Sequence, residues 1–353
     1  MIKTLRIDGV RNIAQCEIEP GDGLNFFQGA NAAGKTSVLE AIHCLALGRS
    51  FRPGGRNAWI ARDQDAAQIF AALADHRLGL EQRRGEWTGR IDSETVRQRS
   101  RFSALLPLLT FHPDAHSLIE GEPVHRRRLV DQGVFHVEHA YLGEWRAFRR
   151  ALDQRNAALR TGAGDRELAG WERPIVEAGE PLTARREGYI AQLQTALEDI
   201  LTELDARVPP ISLTLKPGWP QGETLEAALA RSRSSDRERG FTQVGPQRSD
   251  LRIRDELGAV AGRLSRGQQK ILTVCLLVAQ GRVFEKTRSS APIFLFDDVG
   301  SELDVDHESR VGAWLANADW QVWMTGLHAP AWLSSEASCR MFHVEQGAVS
   351  AVL

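Results

Sequence analysis

No pair of cysteines stands at C-x-x-C spacing: Cys16, Cys44, Cys275 and Cys339 are scattered over 353 residues. That spread excludes a disulfide framework and a cysteine-based structural zinc site, and it fits a reducing compartment. No run of 18 apolar residues occurs either. The N-terminus, Met1-Ile-Lys-Thr-Leu-Arg-Ile-Asp8, alternates like a strand instead of placing a basic segment before an apolar one. The expectation is therefore a soluble, cytoplasmic protein with no membrane span. Lysine is scarce, five among 44 basic residues, so arginine-rich segments carry little weight as signs of nucleic-acid binding. A formal net charge of −2 announces no polyanion partner. What the chain has in plenty is apolar material, 42% of a length that accommodates two domains of about 100 to 200 residues each.

One stretch organises the rest. Gly29-Ala30-Asn31-Ala32-Ala33-Gly34-Lys35-Thr36 fits G-x-x-x-x-G-K-[ST], follows the apolar run Leu24-Asn25-Phe26-Phe27 and opens onto Val38-Leu39-Glu40-Ala41-Ile42. Strand, glycine-rich turn and helix form the context in which this pattern binds phosphate. Glycines at 29 and 34 let successive amides, through Ser37, converge on phosphate oxygens at the positive end of a helix. Lys35 would reach the β and γ phosphates of ATP, and the Thr36 hydroxyl would join the shell of a Mg²⁺ ion.

Two further elements carry chemistry. Pro292-Ile293-Phe294-Leu295-Phe296-Asp297-Asp298 delivers paired carboxylates to the end of an apolar strand, where α/β sheets gather ligands. Asp297 would hold Mg²⁺ directly or through water, and Asp298 would orient or deprotonate the attacking water, so Lys35, Asp297 and Asp298 are the candidate catalytic set. Leu264-Ser265-Arg266-Gly267-Gln268-Gln269-Lys270 precedes an apolar helix and offers a capping hydroxyl and first-turn amides to an anion.

Between these motifs the patterning changes twice. Residues 2–27 and 66–92 read as short strands, the second group as an antiparallel patch beside the main sheet. From Pro123 helical stripes take over: Trp145, Phe148, Leu152 and Leu159, then Ile190, Leu193, Leu197, Ile200 and Leu204, expected as an antiparallel pair stopped at Pro209-Pro210. Arg231–Arg239 reads as a polar, solvated stretch, and Leu251–Arg254 as a strand that returns the chain to α/β character. The expected division is a head at 1–122 and 241–353 with a helical arm at 123–240 inserted into it. His112 and His116, or His136 and His139, have spacings that suit a metal but lack a third ligand. Trp314, Trp320, Trp323 and Trp332 read as core or interface aromatics.

Phosphate loop, the Ser265-Arg-Gly267-Gln268 signature, paired aspartates and the turn Gly300-Ser-Glu-Leu-Asp304 follow one another in the order of the ABC-type ATPases. With Arg11-Asn12, His125-Arg-Arg-Arg-Leu-Val-Asp131 and Gly245-Pro-Gln-Arg-Ser-Asp250, the whole chain resembles the RecF family of bacterial recombination-repair ATPases. Related chromosome-structure ATPases carry coiled-coil inserts of hundreds of residues, whereas 228 residues separate Thr36 from Ser265 here. The resemblance implies an α/β fold, an ABC-type P-loop ATPase head of mixed sheet and antiparallel β patch with an inserted helical arm. It implies ATP and Mg²⁺ sandwiched between the phosphate loop of one copy, with Arg11 and Asn12, and Ser265, Gly267, Gln268 and Asp304 of another. ATP would then drive a homodimer that clamps gapped, single-stranded or duplex DNA, and weak, DNA-stimulated hydrolysis would release it. Implied partners are RecR and RecO, with a role in loading RecA at gaps and in SOS induction. Arg126, Arg127 and Arg128 would grip DNA, face solvent, or couple the arm to the ATPase.

Three departures accompany the resemblance. Asp298 stands where transporters carry Glu. Leu109-Thr110-Phe111-His112 lacks the Mg²⁺-sensing glutamine, since none occurs between Gln98 and Gln132, and where transporters carry a switch histidine the chain offers Thr325, with His328 as a substitute. The alternative function is an ABC-type ATPase subunit coupled to a protein or membrane partner instead of DNA.

Overall fold

The apolar run before the phosphate loop becomes the strand Leu24–Gln28, buried along its first four residues. In this computed structural model, which describes residues 1–288, 290–335 and 339–352, that strand lies inside a mixed six-stranded sheet. The strand order is Ala348–Ala351, Arg340–Glu345, Leu24–Gln28, Gln321–Gly326, Ile293–Phe296, Leu108–Phe111. The last five run parallel to one another, and Ala348–Ala351 is antiparallel. Every residue of Ile293–Phe296 and Gln321–Gly326 is buried, as parallel strands covered on both faces require. Phe27 stacks on Trp323 and Phe342 with ring centres 5.5 and 4.6 Å away, tying three neighbouring strands together.

The expected antiparallel patch is a second six-stranded sheet, ordered Ile13–Ile18, Ile2–Val10, Ala66–Leu73, Arg77–Arg83, Glu86–Ile91, Glu94–Val96. Its buried Leu5, Ile7 and Ile69 share one core with Leu295 and Trp323 of the mixed sheet and with Val38, Leu39, Ile42 and Leu45. The helix Lys35–Leu47 that supplies the last four is therefore covered nearly all round, which explains why its sequence is apolar on every face.

The chain divides into two compact units, and the division differs from the one read in the sequence. One comprises Met1–Ala115, Thr202–Ala206 and the chain from Arg266 onward; the other comprises His116–Leu201 and Arg207–Ser265. The difference at 241–265 arises because Asp250–Asp255 does not rejoin the head sheet. It pairs antiparallel with Ser212–Lys216 and Gly258–Ala259 in a three-stranded sheet of the second unit. Helices Pro123–Val137, Tyr141–Arg160, Leu225–Arg239 and most of Asp165–Glu203 complete that unit.

Two local expectations are corrected. Arg231–Arg239 is not a solvated coil but the second half of the helix Leu225–Arg239, capped by the Thr224 hydroxyl and ended by Gly240 at φ 73°. The run of Arg and Ser masks the helical spacing of Leu225, Ala228 and Leu229, all fully buried. In the same helix the buried Asp236 accepts from Arg155 at 2.7 Å, and Arg155 also donates to Glu172 at 3.0 Å and Thr242 at 2.9 Å. The helix Asp165–Glu203 ends before Pro209-Pro210 because Asp205 and Arg207 turn the chain at φ 41° and 51°. Among the described residues no helix is long and apolar enough to cross a membrane.

Candidate functional site

The turn after Leu24–Gln28 is held from three sides. Gly29 lies so close to Arg340–Glu345 that a Cβ there would stand 2.2 Å from the Val344 carbonyl. The amide of Gly347, in the hairpin turn that follows, donates to the Ala33 carbonyl at 2.7 Å. Asn12 spans the loop: its Nδ2 donates to the Ala32 carbonyl at 3.0 Å, and its Oδ1 accepts from Ser37 Oγ at 3.0 Å. Ala32 at φ 63° supplies the left-handed step that turns successive amides into one concavity. Lys35 Nζ donates to the carbonyls of Gly29 at 2.7 Å and Ala30 at 2.9 Å, curling the loop around its ammonium. Burial lowers the Lys35 pKa, and the nearby carboxylates of Asp298 and Asp297 oppose that shift.

The sheet order places the strand Gln321–Gly326 between the phosphate-loop strand and Ile293–Phe296, and Thr325 near its end meets both motifs. Asp297 Oδ1 accepts from Thr36 Oγ1 at 2.9 Å and from Thr325 Oγ1 at 2.8 Å. Thr325 Oγ1 accepts in turn from the Asp298 amide at 2.8 Å. Burial raises the Asp297 pKa, against the lowering effect of its two hydroxyl donors. Asp298 adopts a left-handed conformation, φ 57° and ψ 54°, at the start of the short helix Val299–Glu302. Asp tolerates that region better than most residues, and its Thr325-bound amide holds it there.

Other predicted site residues are engaged elsewhere. Arg11 forms a doubled bond with the buried Glu40, at 2.7 and 2.9 Å, and also donates to the Ala58 carbonyl. Glu40 further accepts from Ser50 at 2.5 Å and pairs with Arg52 at 3.5 Å. The sequence shows Glu40 as a lone carboxylate inside an apolar helix but does not show which residues meet it. Asp304 caps the helix Val305–Asn317, accepting from the His307 amide at 2.9 Å, which lowers its pKa. Ser265 immediately precedes the helix Arg266–Arg288, and Gly267 and Gln268 lie in its first turn. Lys270 of that helix pairs with Glu302 at 3.0 Å, linking the signature segment to the helix that Asp298 begins.

A family model described as the RecF/RecN/SMC N terminal domain matches residues 1–350. The DNA replication and repair protein RecF of Stenotrophomonas maltophilia is 38% identical over 99% of both chains. The chain belongs to the RecF family. Its similarity to the RecF protein of Chromohalobacter salexigens is 40% identity over 98% of each chain. A solved structure of the recombination mediator protein RecF-ATP in the RecFOR pathway superposes with a TM-score of 0.89 at 22% identity, covering 100% of this chain and 97% of that one. A Smc head bound to the C-winged helix domain of ScpA superposes with a TM-score of 0.58 at 13% identity, over 99% and 96% of the two chains. At those identities the two structures speak to fold alone, and the RecF-family fold is the α/β ATPase head with an inserted unit that the motif order implied.

Proposed function

We propose that this protein is an ATP-dependent DNA-binding protein of replication and recombinational repair, in which ATP joins two copies around DNA and slow hydrolysis parts them. The Asp297 cluster carries the reading: a phosphate-loop hydroxyl and a strand-end carboxylate meet at 2.9 Å in a RecF-family chain. Thr36 and Asp297 are hard oxygen donors, and the buried Asp297 is bonded by neutral hydroxyls, a donor set that suits Mg²⁺. Bound there, Mg²⁺ would neutralise charge on the β and γ phosphates. The loop amides from Ala30 to Ser37 would bind phosphate, with Lys35 exchanging the Gly29 and Ala30 carbonyls for phosphate oxygens. Asp298 would orient the attacking water and take up its proton, its carboxylate shorter in reach than a glutamate's.

Support for a two-copy site comes from open surface on the remaining motifs. A Cβ on Gly267 or Gly300 would meet nothing within 4 Å, and Val305, beside Asp304, is 80% exposed. Open backbone and an exposed valine on these segments suit a surface that a second copy covers. Ser265, Gly267, Gln268 and Asp304 would then act on ATP held by the other copy, making ATP a dimerisation ligand. In this reading RecR and RecO would be the partners, RecA would be loaded at gaps, and DNA would stimulate turnover.

Sedimentation with and without MgATP tests the reading. Wild type is expected to dimerise only with MgATP, Lys35→Ala to remain monomeric, and Ser265→Arg to bind ATP as a monomer without dimerising. ATP-driven dimerisation of Lys35→Ala would remove the composite site.

A further inference from the structure

A groove of about 590 Å³ opens on the inserted unit, between the loop after Ser212–Lys216 and the turn Pro246–Arg248. Its walls present three cations, Lys216, Arg239 and Arg248, and two aromatic faces, Trp219 and Phe241, with no carboxylate among the lining residues. None of the three cations pairs with a carboxylate among the described residues. Elsewhere in the same unit Arg155, Arg185, Arg186 and Arg233 each hold one.

The frame of this groove is held by close backbone contacts and hydrogen bonds. The Gly245 amide donates to the Gly218 carbonyl at 3.1 Å, and a Cβ on Gly218 would stand 2.2 Å from the Gly245 carbonyl. The turn is anchored from inside: Arg186 donates to the Pro246 carbonyl at 2.8 Å and Ser249 Oγ at 3.0 Å, Arg127 to the Ser249 carbonyl at 2.8 Å, and Arg126 to Asp250 at 2.8 Å. These bonds account for the Gly245–Asp250 segment and for two arginines of His125–Asp131. They leave Arg248 exposed, its guanidinium 5.4 Å from the ring centre of Phe241. Phe241 is 37% exposed, yet its neighbour Thr242 is pinned by Asn156 through both amide and hydroxyl, at 2.8 and 2.7 Å. An apolar ring held out to solvent beside unpaired cations matches a ligand with a flat face and a negative charge.

We infer that this groove is a subsite for unpaired nucleotides of a single DNA strand, with phosphates on Lys216, Arg239 and Arg248 and a base stacked on Phe241 or Trp219. A basic groove with aromatic platforms is the chemistry of single-strand binding, and the volume lies within the about 300–1,000 Å³ of ligand clefts. The inference rests on the DNA-binding reading above and adds which form of strand is held and where.

Fluorescence anisotropy of a short oligo-dT and of a blunt duplex, with the full chain and MgATP over a salt series, tests it. Phe241→Leu is expected to weaken oligo-dT binding about five- to tenfold, leaving duplex binding and ATP hydrolysis unchanged. Arg248→Gln is expected to reduce the slope of log K against log salt by about 0.7. Irradiation of wild type with an iodouracil-substituted strand should place the crosslink on Phe241 or Trp219, a readout that needs no variant. Equal oligo-dT affinity in wild type and both variants, with crosslinks elsewhere, overturns the groove and leaves the DNA reading intact. Failure of wild type to bind either DNA overturns both.

Discussion

Thr325 Oγ1 donates its hydrogen to Asp297 Oδ1 at 2.8 Å and itself accepts the amide hydrogen of Asp298 at 2.8 Å. One side chain thus orients the carboxylate assigned to Mg²⁺ and the backbone of the carboxylate assigned to water. Thr325→Val keeps the shape and removes the hydroxyl. ATP hydrolysis is expected to fall about 10- to 100-fold, as for other residues that orient metal ligands, with ATP affinity near wild type. Thr325→Ser should retain most of the rate. Steady-state hydrolysis beside equilibrium nucleotide binding separates the two effects.

Asp297 links the site to pH. Burial raises its folded pKa above the ordinary 3.8. A carboxyl raised on folding binds its proton more tightly in the native state, so its contribution is fullest below the unfolded pKa and is lost as pH rises through the folded value. At neutral pH the charged Asp297 therefore costs stability in the nucleotide-free protein. Asp297→Asn should raise the nucleotide-free Tm at pH 7, with the gain shrinking toward about pH 4. The same variant should lose the stabilisation that Mg²⁺ adds to ATP. Thermal unfolding across that range, with and without MgATP, measures both.

Arg11 was expected beside the nucleotide, and its doubled bond to Glu40 gives it a structural task. Arg11→Ala leaves Glu40 buried with only Ser50 and the longer Arg52 contact. Because Arg11 is itself partly exposed, the expected loss is about 2–3 kcal/mol, below that for a fully buried pair. Denaturant unfolding measures it. Loss of ATP affinity at unchanged stability would return Arg11 to the nucleotide.

Gly347 sits at φ 84°, and a Cβ there would stand 2.0 Å from the Asn12 carbonyl. Gly347→Ala must displace either the C-terminal hairpin or the turn that carries Asn12, both of which hold the phosphate loop. The expected result is about 1–3 kcal/mol of destabilisation together with weaker ATP binding. Unchanged ATP affinity in a destabilised variant would show that the hairpin does not brace the loop.

The phosphate loop and the paired aspartates were legible because each is a local strand-to-turn device whose residue types follow from the turn itself. Gly347 against Asn12, Thr325 between two motifs and Glu40 beneath Arg11 depend on strand order and on contacts across long stretches of chain, which local spacing does not encode. The strand at Leu251–Arg254 was correctly recognised, yet its partner is Ser212–Lys216 and not the head sheet. Alternation identifies a strand without naming its neighbour. At Arg231–Arg239 composition hid a helix whose Thr224 cap and Gly240 stop were both readable.

The most direct test of the clamp is binding to a gapped duplex with no nucleotide, with ADP and with MgATP, each over a salt series. Tight binding is expected with MgATP alone, with a steep fall of log K with log salt, as phosphate contacts demand. Weak binding that is the same in all three nucleotide conditions would contradict it.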